Sequence, residues 1–192
     1  ENIANMTTKG ADGLMFRFGF IADVQYADIP DALNFDKTMT RYYRGTLDSL
    51  READQWWQRQ CLVSGGNLSF IANLGDVLDG QNMNKDGDTA RAISLLCAVF
   101  AHAEYAQFTV HLVGNHELYN FTRDQLCEGV QIAGEEYKFC AAVPSEADAA
   151  EPACDEPRAL YYAFYPPGAE KAYRVVVLDP YDVSCMRDGG GR

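Results

Sequence analysis

Apolar runs alternate with stretches of helical period along the first 113 residues of the chain. Short, continuous apolar runs predict buried strands at residues 14–22, 68–74 and 108–113. Between these runs, apolar residues recur at the spacing of one helix face, which predicts helices at residues 38–60 and 90–106. The order strand, helix, strand, helix, strand has connections long enough for crossovers. It therefore predicts an α/β fold with a parallel sheet.

The rest of the chain has a different pattern. Residues 134–157 are rich in Ala, Glu, Asp and Pro, which predicts an acidic loop. Residues 160–165 and 173–178 flank a Pro-Pro-Gly segment and predict a β-hairpin. Residues 1–14 are a polar N-terminal lead-in, residues 15–184 are predicted to form one domain, and residues 185–192 are a Gly-rich end.

The composition narrows the possible function classes. The 192 residues carry a formal net charge of −12, and 47% of them are hydrophobic, which is enough for the packed core of one domain. The acid excess argues against nucleic-acid binding, which depends on Lys and Arg meeting phosphates, and suits a protein that holds cations. The most apolar helical stretch is much shorter than the roughly 20 residues that a membrane span needs. Six dispersed cysteines are typical of thiols in a reducing compartment, so we expect a cytoplasmic protein.

Each of the three predicted strands ends in residue types that bind metals. In chain order these are Asp23 and Gln25, Asp76 and Asp79, and Asn115 and His116. Because ligands of open α/β sheets bind outside the carboxyl ends of the strands, we expect the three clusters to converge. Oxygen ligands suit Mg²⁺ and Mn²⁺, one Asp can bridge two ions, and a neighbouring His can donate to developing charge. Each cluster alone is also typical of a structural turn, but the three together favour a metal site.

These clusters resemble the first three motifs of the calcineurin-like metallophosphoesterases. The motifs are Asp23-x-Gln25, Gly75-Asp76-x-x-Asp79-Gly80 and Gly114-Asn115-His116-Glu117. Most of that superfamily has His at the second position of the first motif, so Gln25 narrows the resemblance. Further segments narrow it to the manganese-dependent ADP-ribose/CDP-alcohol diphosphatases: Asn34-Phe35, Arg41-Tyr42-Tyr43-Arg44, Gly80-Gln81-Asn82 and Val177-Leu178-Asp179-Pro180-Tyr181-Asp182. The resemblance implies a β-sandwich flanked by helices, in four αββα layers, incomplete at the C-terminus.

The resemblance also implies a role for each matching residue. Asp23 and Gln25 would bind the first of two Mn²⁺ or Mg²⁺ ions, Asp76 would bridge both ions and Asn115 would bind the second. His116 would assist phosphoryl transfer as a donor or acid. The expected reaction is hydrolysis of the diphosphate bond of a small nucleoside diphosphate derivative, ADP-ribose or a CDP-alcohol, by a hydroxide that the two metals activate.

Two further residues receive less specific roles. The resemblance places Phe35 near the nucleobase, where it would stack on adenine or cytosine, with a plain loop hydrophobe as the alternative. Asp79 would support the site through hydrogen bonds that orient the ligands. Of the other two histidines, His102 lies in a predicted helix and His111 in a predicted strand, and both are expected in the core or at the surface.

The chain has no histidine after His116, whereas the resembled family continues with a later His ligand and a Gly-x-His-x-His motif. We therefore expect an N-terminal fragment, a truncated gene product or one piece of a split protein. One alternative is an inactive homologue that binds metal or a partner. Within the enzymes, the alternatives are a phosphomonoesterase and a cyclic-nucleotide phosphodiesterase.

Overall fold

The computed structural model describes residues 4–9, 15–64, 66–84, 88–101, 105–106, 108–128, 130–132, 135–137, 161–169 and 171–185. Its strands are β1 (Ala4–Lys9), β2 (Met15–Ile21), β3 (Ala32–Leu33), β4 (Thr40–Arg41), β5 (Phe70–Asn73), β6 (Thr109–His111), β7 (Val130–Ile132), β8 (Glu135–Tyr137), β9 (Tyr162–Phe164) and β10 (Val175–Val177). Its helices are α1 (Gly45–Ser64), α2 (Asp88–Ala101), α3 (Asn115–Asn120) and α4 (Arg123–Glu128), and Gly80–Asn84 form a 3-10 helix.

The main sheet has the strand order β1-β2-β5-β6. Strands β2, β5 and β6 are parallel, which confirms the three predicted strands and the parallel sheet. Strand β1 lies in the predicted polar lead-in and pairs antiparallel with β2. Its sequence has no alternating apolar residues. It can still form an edge strand, because main-chain hydrogen bonds to one neighbour hold it in place.

The two faces of the main sheet are covered by different elements. Phe16, Phe70 and Val110 face a cluster that includes the β9–β10 hairpin, and the ring of Phe70 meets that of Phe164 edge-on at 5.2 Å. Ile21 and Ile71 face the opposite side, because successive strand residues alternate between faces. There α1 and α2 supply the apolar side chains Leu50, Trp57, Ile93 and Leu96, all of them almost fully buried. The described residues thus stack helices, sheet and hairpin around two apolar layers.

Both predicted helices form, with shifted ends. Helix α1 begins at Gly45 rather than residue 38, because Asn34 Oδ1 accepts hydrogen bonds from the backbone amides of Thr38 (2.8 Å) and Met39 (3.0 Å). These bonds hold a turn, which lets β3 and β4 pair. Helix α2 begins at Asp88 and ends at Ala101 instead of residue 106. At residue 106 the backbone instead forms a bridge with Leu68.

Strands β9 and β10 pair antiparallel and confirm the predicted hairpin. A second hairpin, β7–β8, enters the predicted acidic loop at residues 135–137. The rest of that loop, residue 134 and residues 138–157, lies outside the described residues, as do His102 and residues 186–192. Cys61, Cys127 and Cys185 carry thiols rather than disulfide bonds within the described part of the chain. No helix among the described residues is long and apolar enough to cross a membrane.

Candidate metal centre

The segments after β2 and β5 lie side by side and continue the parallel pairing of the two strands. Asp23 N donates to Gly75 O over 3.2 Å, and Gln25 N donates to Asp76 O over 2.8 Å. Asp76 Oδ1 in turn accepts a 2.9 Å hydrogen bond from the backbone amide of His116, after β6. The three predicted clusters therefore meet at one edge of the main sheet.

Three of the four predicted metal ligands have left-handed backbone conformations. The φ angles are 55° at Asp23, 47° at Gln25 and 53° at Asp76. Residues with a Cβ adopt this region at a cost of about 1–2 kcal/mol each. Such strain concentrates at functional sites, where the surrounding structure holds it in place. Lys37 and Lys171 also have positive φ, at 59° and 62°, so this conformation is not unique to the predicted ligands.

Two glycines allow the loops to approach each other closely. Gly75 has a φ of 98°, and a Cβ on it would lie 2.7 Å from the backbone nitrogen of Gly114. A Cβ on Gly114 would lie 2.0 Å from Asp76 Oδ1 and 2.6 Å from Asp76 N. No side chain fits at Gly114 unless both the carboxylate and the backbone of Asp76 move, so the glycine is needed for the close approach of the two loops.

The carboxylate of Glu117 connects the loop after β5 to the loop after β6. Its side chain is fully buried, and Oε2 accepts hydrogen bonds from Gly114 N (2.7 Å) and Asp76 N (2.8 Å). Its other oxygen, Oε1, accepts from Val77 N at 2.8 Å. Burial raises the pKa of Glu117 to about 7, while the three backbone donors favour the ionised carboxylate. This single side chain fixes the backbone on both sides of Asp76.

Asn73 and His111 contact each other beneath the strand ends. Asn73, at the end of β5, is fully buried, and its Oδ1 accepts from Gly75 N over 3.3 Å. Its Nδ2 lies 3.1 Å from His111 Nδ1. Burial lowers the pKa of His111 to about 4, so the ring is neutral and accepts the amide proton at Nδ1. His111 thus has a structural role, as its position in a strand predicted.

The ring of His116 is held in one tautomer. The backbone amide of Gly80 donates to His116 Nδ1 over 2.9 Å, which places the proton of a neutral imidazole on Nε2. Asp79 Oδ2 lies 3.7 Å from the same Nδ1. Asp79 is buried, and its Oδ1 accepts from Gln81 N over 2.8 Å. His116 therefore presents an N–H donor on the side of the ring away from Asp79 and Gly80.

Arg41 connects the first and second clusters. Its Nη1 donates to Gln25 Oε1 over 2.6 Å and lies 3.3 Å from Asp79 Oδ2. Gln25 Nε2 donates to Asp23 Oδ1 over 3.3 Å, so both ends of the Gln25 amide have partners. This assigns the amide oxygen of Gln25, the atom that would bind a metal, to the side that faces Arg41.

Asn115, the first residue of α3, contacts a segment remote in sequence. The hydroxyl of Tyr181 donates to Asn115 Oδ1 over 3.4 Å. Burial and then the nearby carboxylate of Asp76 raise the pKa of the Tyr181 hydroxyl, which keeps its proton. The Tyr181 backbone amide donates to Asp179 Oδ1 over 3.0 Å. Asp179 is in turn paired with the buried Arg123.

Two cavities open beside the strand ends. The larger has a volume of about 970 Å³, and its lining includes Phe35, Arg41, Asp79, Gln81, His116 and Tyr119. Phe35 is fully exposed at 105% of its reference area, so its ring has no packing role in the core. The second cavity, of about 610 Å³, is lined by Asp23, Gln25, Arg41, Tyr42, Thr46 and Ser49 among others. Arg41 lines both cavities.

The predicted ligands fit a divalent cation in the chemistry of their donor atoms. Asp23 and Asp76 offer carboxylate oxygens, and Gln25 and Asn115 offer amide oxygens, which hard cations such as Mg²⁺ and Mn²⁺ accept. Among the residues that the structure describes, no group of three or more His, Cys, Asp and Glu side chains could hold a metal ion. The set thus has two charged ligands and depends on amides for the others.

Comparisons with known proteins show what the chain resembles in sequence and fold. The chain is 34% identical over 177 residues to the manganese-dependent ADP-ribose/CDP-alcohol diphosphatase of Danio rerio, covering 90% of this chain and 47% of that protein. It is 35% identical to the Arabidopsis thaliana protein of the same name (90% and 44%) and 31% identical to the human one (90% and 45%). The crystal structure of a dimetal phosphatase from Danio rerio superposes with a TM-score of 0.67 at 32% identity, covering 89% of this chain and 46% of that one.

The chain is similar in sequence to these diphosphatases over 90% of its own length. The comparisons bear out the resemblance that its strand-end motifs indicated. No family model matches the chain. The chain spans about half the length of the curated relatives it matches.

Three residues of the site received no role from sequence reasoning. Glu117, Arg41 and Tyr181 all stood inside quoted motifs, but none of them was given a role. The signal for Glu117 was a carboxylate directly after His116 at the start of a short helix. Arg41 and Tyr181 left no comparable signal, because their partners are 16 and 66 residues away in sequence.

Proposed function

We propose that this chain contributes to a manganese-dependent phosphohydrolase site that cleaves the diphosphate bond of nucleoside diphosphate derivatives, such as ADP-ribose and CDP-alcohols. The observation that carries the proposal is the convergence of three strand-end clusters at one sheet edge, held by Glu117. The names of the homologues support the choice of reaction and substrate class.

In this proposal, Asp23 and Gln25 hold one Mn²⁺ or Mg²⁺ ion, Asn115 holds a second, and Asp76 bridges the two. Bound divalent ions supply charge neutralisation for phosphoryl oxygens and lower the pKa of water. Asp76 could serve both ions because, among the described residues, its Oδ1 accepts the His116 amide and its other oxygen and further lone pairs stay available.

Protein groups around the metal site carry out the remaining functions. His116 Nε2–H donates to a phosphoryl or leaving oxygen, and the backbone of Gly80 keeps the proton on that nitrogen. Asp79 would help to orient Gln25, because its Oδ2 accepts from the Arg41 Nη1 that also donates to Gln25 Oε1. The exposed ring of Phe35, at the edge of the larger cavity, stacks on the adenine or cytosine base.

The fold of the homologous dimetal phosphatase supports a metallophosphoesterase domain over residues 15–184. We propose that the helix, sheet and hairpin layers seen here belong to a four-layer αββα sandwich. The β9–β10 hairpin would be part of its second sheet. In that arrangement the site lies at the carboxyl edge of the first sheet, where parallel strands bring their ends together.

Hydrolysis assays test the proposal directly. The full-length gene product that contains this chain is incubated with Mn²⁺ and ADP-ribose, CDP-choline, cAMP or p-nitrophenyl phosphate, with and without a chelator, and the products are separated by chromatography. We expect AMP from ADP-ribose and CMP from CDP-choline, with the rate lost in chelator and in Asp76→Asn. Asp48→Asn, at an exposed position on α1, is the matched control and keeps the rate.

The other outcomes separate the alternatives. Activity on cAMP and p-nitrophenyl phosphate only would replace the diphosphatase by a phosphodiesterase or monoesterase. Mn²⁺ binding without hydrolysis of any substrate would favour a metal-binding homologue, an alternative that the small number of charged ligands specifically supports.

A further inference from the structure

A buried ion pair joins α4 to the segment after β10. Arg123 Nη1 contacts Asp179 Oδ2, and Nη2 lies 3.4 Å from Asp179 Oδ1. Both side chains are fully buried. The two residues are 56 positions apart, so the pair is a long-range contact that connects two parts of the fold.

Stability alone is a weak reason for such a pair. Taking two charges out of water is so costly that well-packed apolar residues often stabilise a protein equally well or better. Buried pairs of this kind are better understood by what they hold in place. The second interaction of Asp179 identifies that element, since its Oδ1 also accepts the backbone amide of Tyr181 over 3.0 Å.

Tyr181 extends from this anchor to the metal centre. Its hydroxyl donates to Asn115 Oδ1 over 3.4 Å, and its ring packs against the core formed with α1 and α2. The separation is long for a hydroxyl donor. We therefore expect the contact to add little to global stability. Its expected role is to restrict rotation of the Asn115 amide.

We propose that Tyr181 is a positioning residue for Asn115, and that the Arg123–Asp179 pair holds Tyr181 in place for this purpose. The inference rests on the proposed function, in which Asn115 Oδ1 is a metal ligand. An amide is a weak neutral ligand, so its affinity depends on being held in one orientation before the ion arrives. Outer partners of this kind typically change metal affinity by 10–100-fold when they are removed.

The decisive variant is Tyr181→Phe, which removes one hydroxyl and keeps the ring. NMR of the metal-free chain measures the order parameter of the Asn115 side-chain amide, and electron paramagnetic resonance measures free Mn²⁺ during a titration. We expect the order parameter of the Asn115 amide to fall and the Mn²⁺ concentration at half-saturation to rise about tenfold. The melting temperature should not change. Tyr165→Phe is the matched control. Its ring lies beside Lys171 and Arg174, and we expect none of the three readouts to change.

A second variant tests the role of the ion pair. The double substitution Arg123→Met/Asp179→Leu removes both charges together, so neither is left buried alone. We expect a folded chain in which the Asn115 amide loses order as in Tyr181→Phe, because the amide of Tyr181 has lost its side-chain acceptor. Full order of Asn115 in this variant would overturn the role assigned to the pair.

Two results would overturn different claims. If the order parameter of the Asn115 amide is the same in Tyr181→Phe and in the wild-type chain, the positioning role is overturned. Absence of any effect of Mn²⁺ on the Asn115 signals of the wild-type chain would overturn the proposed metal site instead. The two results are distinguishable because the order of the amide is measured without metal.

Discussion

Replacing Glu117 by Gln tests whether this one carboxylate holds the proposed metal centre together. The substitution keeps the shape of the side chain but turns one acceptor oxygen into an NH₂ group. Glu117 accepts three backbone N–H groups on two oxygens. Whichever way the new amide lies, its NH₂ group faces at least one buried backbone donor.

The contacts of Glu117 determine how much the free energy of unfolding should fall. A buried donor left without an acceptor costs about 1–3 kcal/mol. Above pH 7, where Glu117 is ionised, the remaining bonds also lose the strength that a charged acceptor gives them. We therefore expect the free energy of unfolding to fall by about 2–4 kcal/mol. For a chain of this size that corresponds to a decrease in melting temperature of roughly 5–15 °C.

Urea denaturation followed by circular dichroism measures the free energy of unfolding, and a Mn²⁺ titration of the folded variant measures the site. We expect weaker Mn²⁺ binding, since the backbone on both sides of Asp76 is no longer held. Glu52→Gln, at an exposed position on α1, is the control and should lie within about 0.5 kcal/mol of wild type. A Glu117→Gln chain equally close to wild type would refute the role assigned to this carboxylate.

Three other predictions concern protonation, packing and ligand type. The pKa of His111 is about 4 in the folded chain and near 6.5 in the unfolded chain, so the free energy of unfolding should decrease as pH falls from 6.5 to 4, by at most about 3 kcal/mol. Urea denaturation at several pH values measures this decrease, which should be absent in His111→Gln. Gly114→Ala would place a methyl group 2.0 Å from Asp76 Oδ1 and should abolish Mn²⁺ binding in a titration, whereas Gly45→Ala meets an ordinary 3.6 Å contact and should not. Gln25→His should retain metal binding but shift preference toward softer ions in a competition titration, since imidazole is a softer ligand than an amide.

Local pattern predicted most of the elements that carry the site. The apolar runs of β2, β5 and β6 and the helical period of α1 and α2 depend on neighbouring residues only, so they can be read without knowledge of the fold. Strand β1 could not be predicted this way, because its polar sequence is held by main-chain pairing with β2. The start of α1 was also missed, since side-chain bonds from Asn34 compete with the helix.

The sequence by itself determined which residues would meet, because parallel strands bring their carboxyl ends to one edge and each strand ended in ligand-type residues. It also determined the family resemblance, which rests on the order and spacing of those same residues. The tertiary structure alone decided how the ligands are held. Glu117 reaches Asp76 across 41 residues, and Tyr181 reaches Asn115 across 66. Such contacts leave no periodic trace in a sequence, because they depend on the packing of distant segments rather than on the residues beside them.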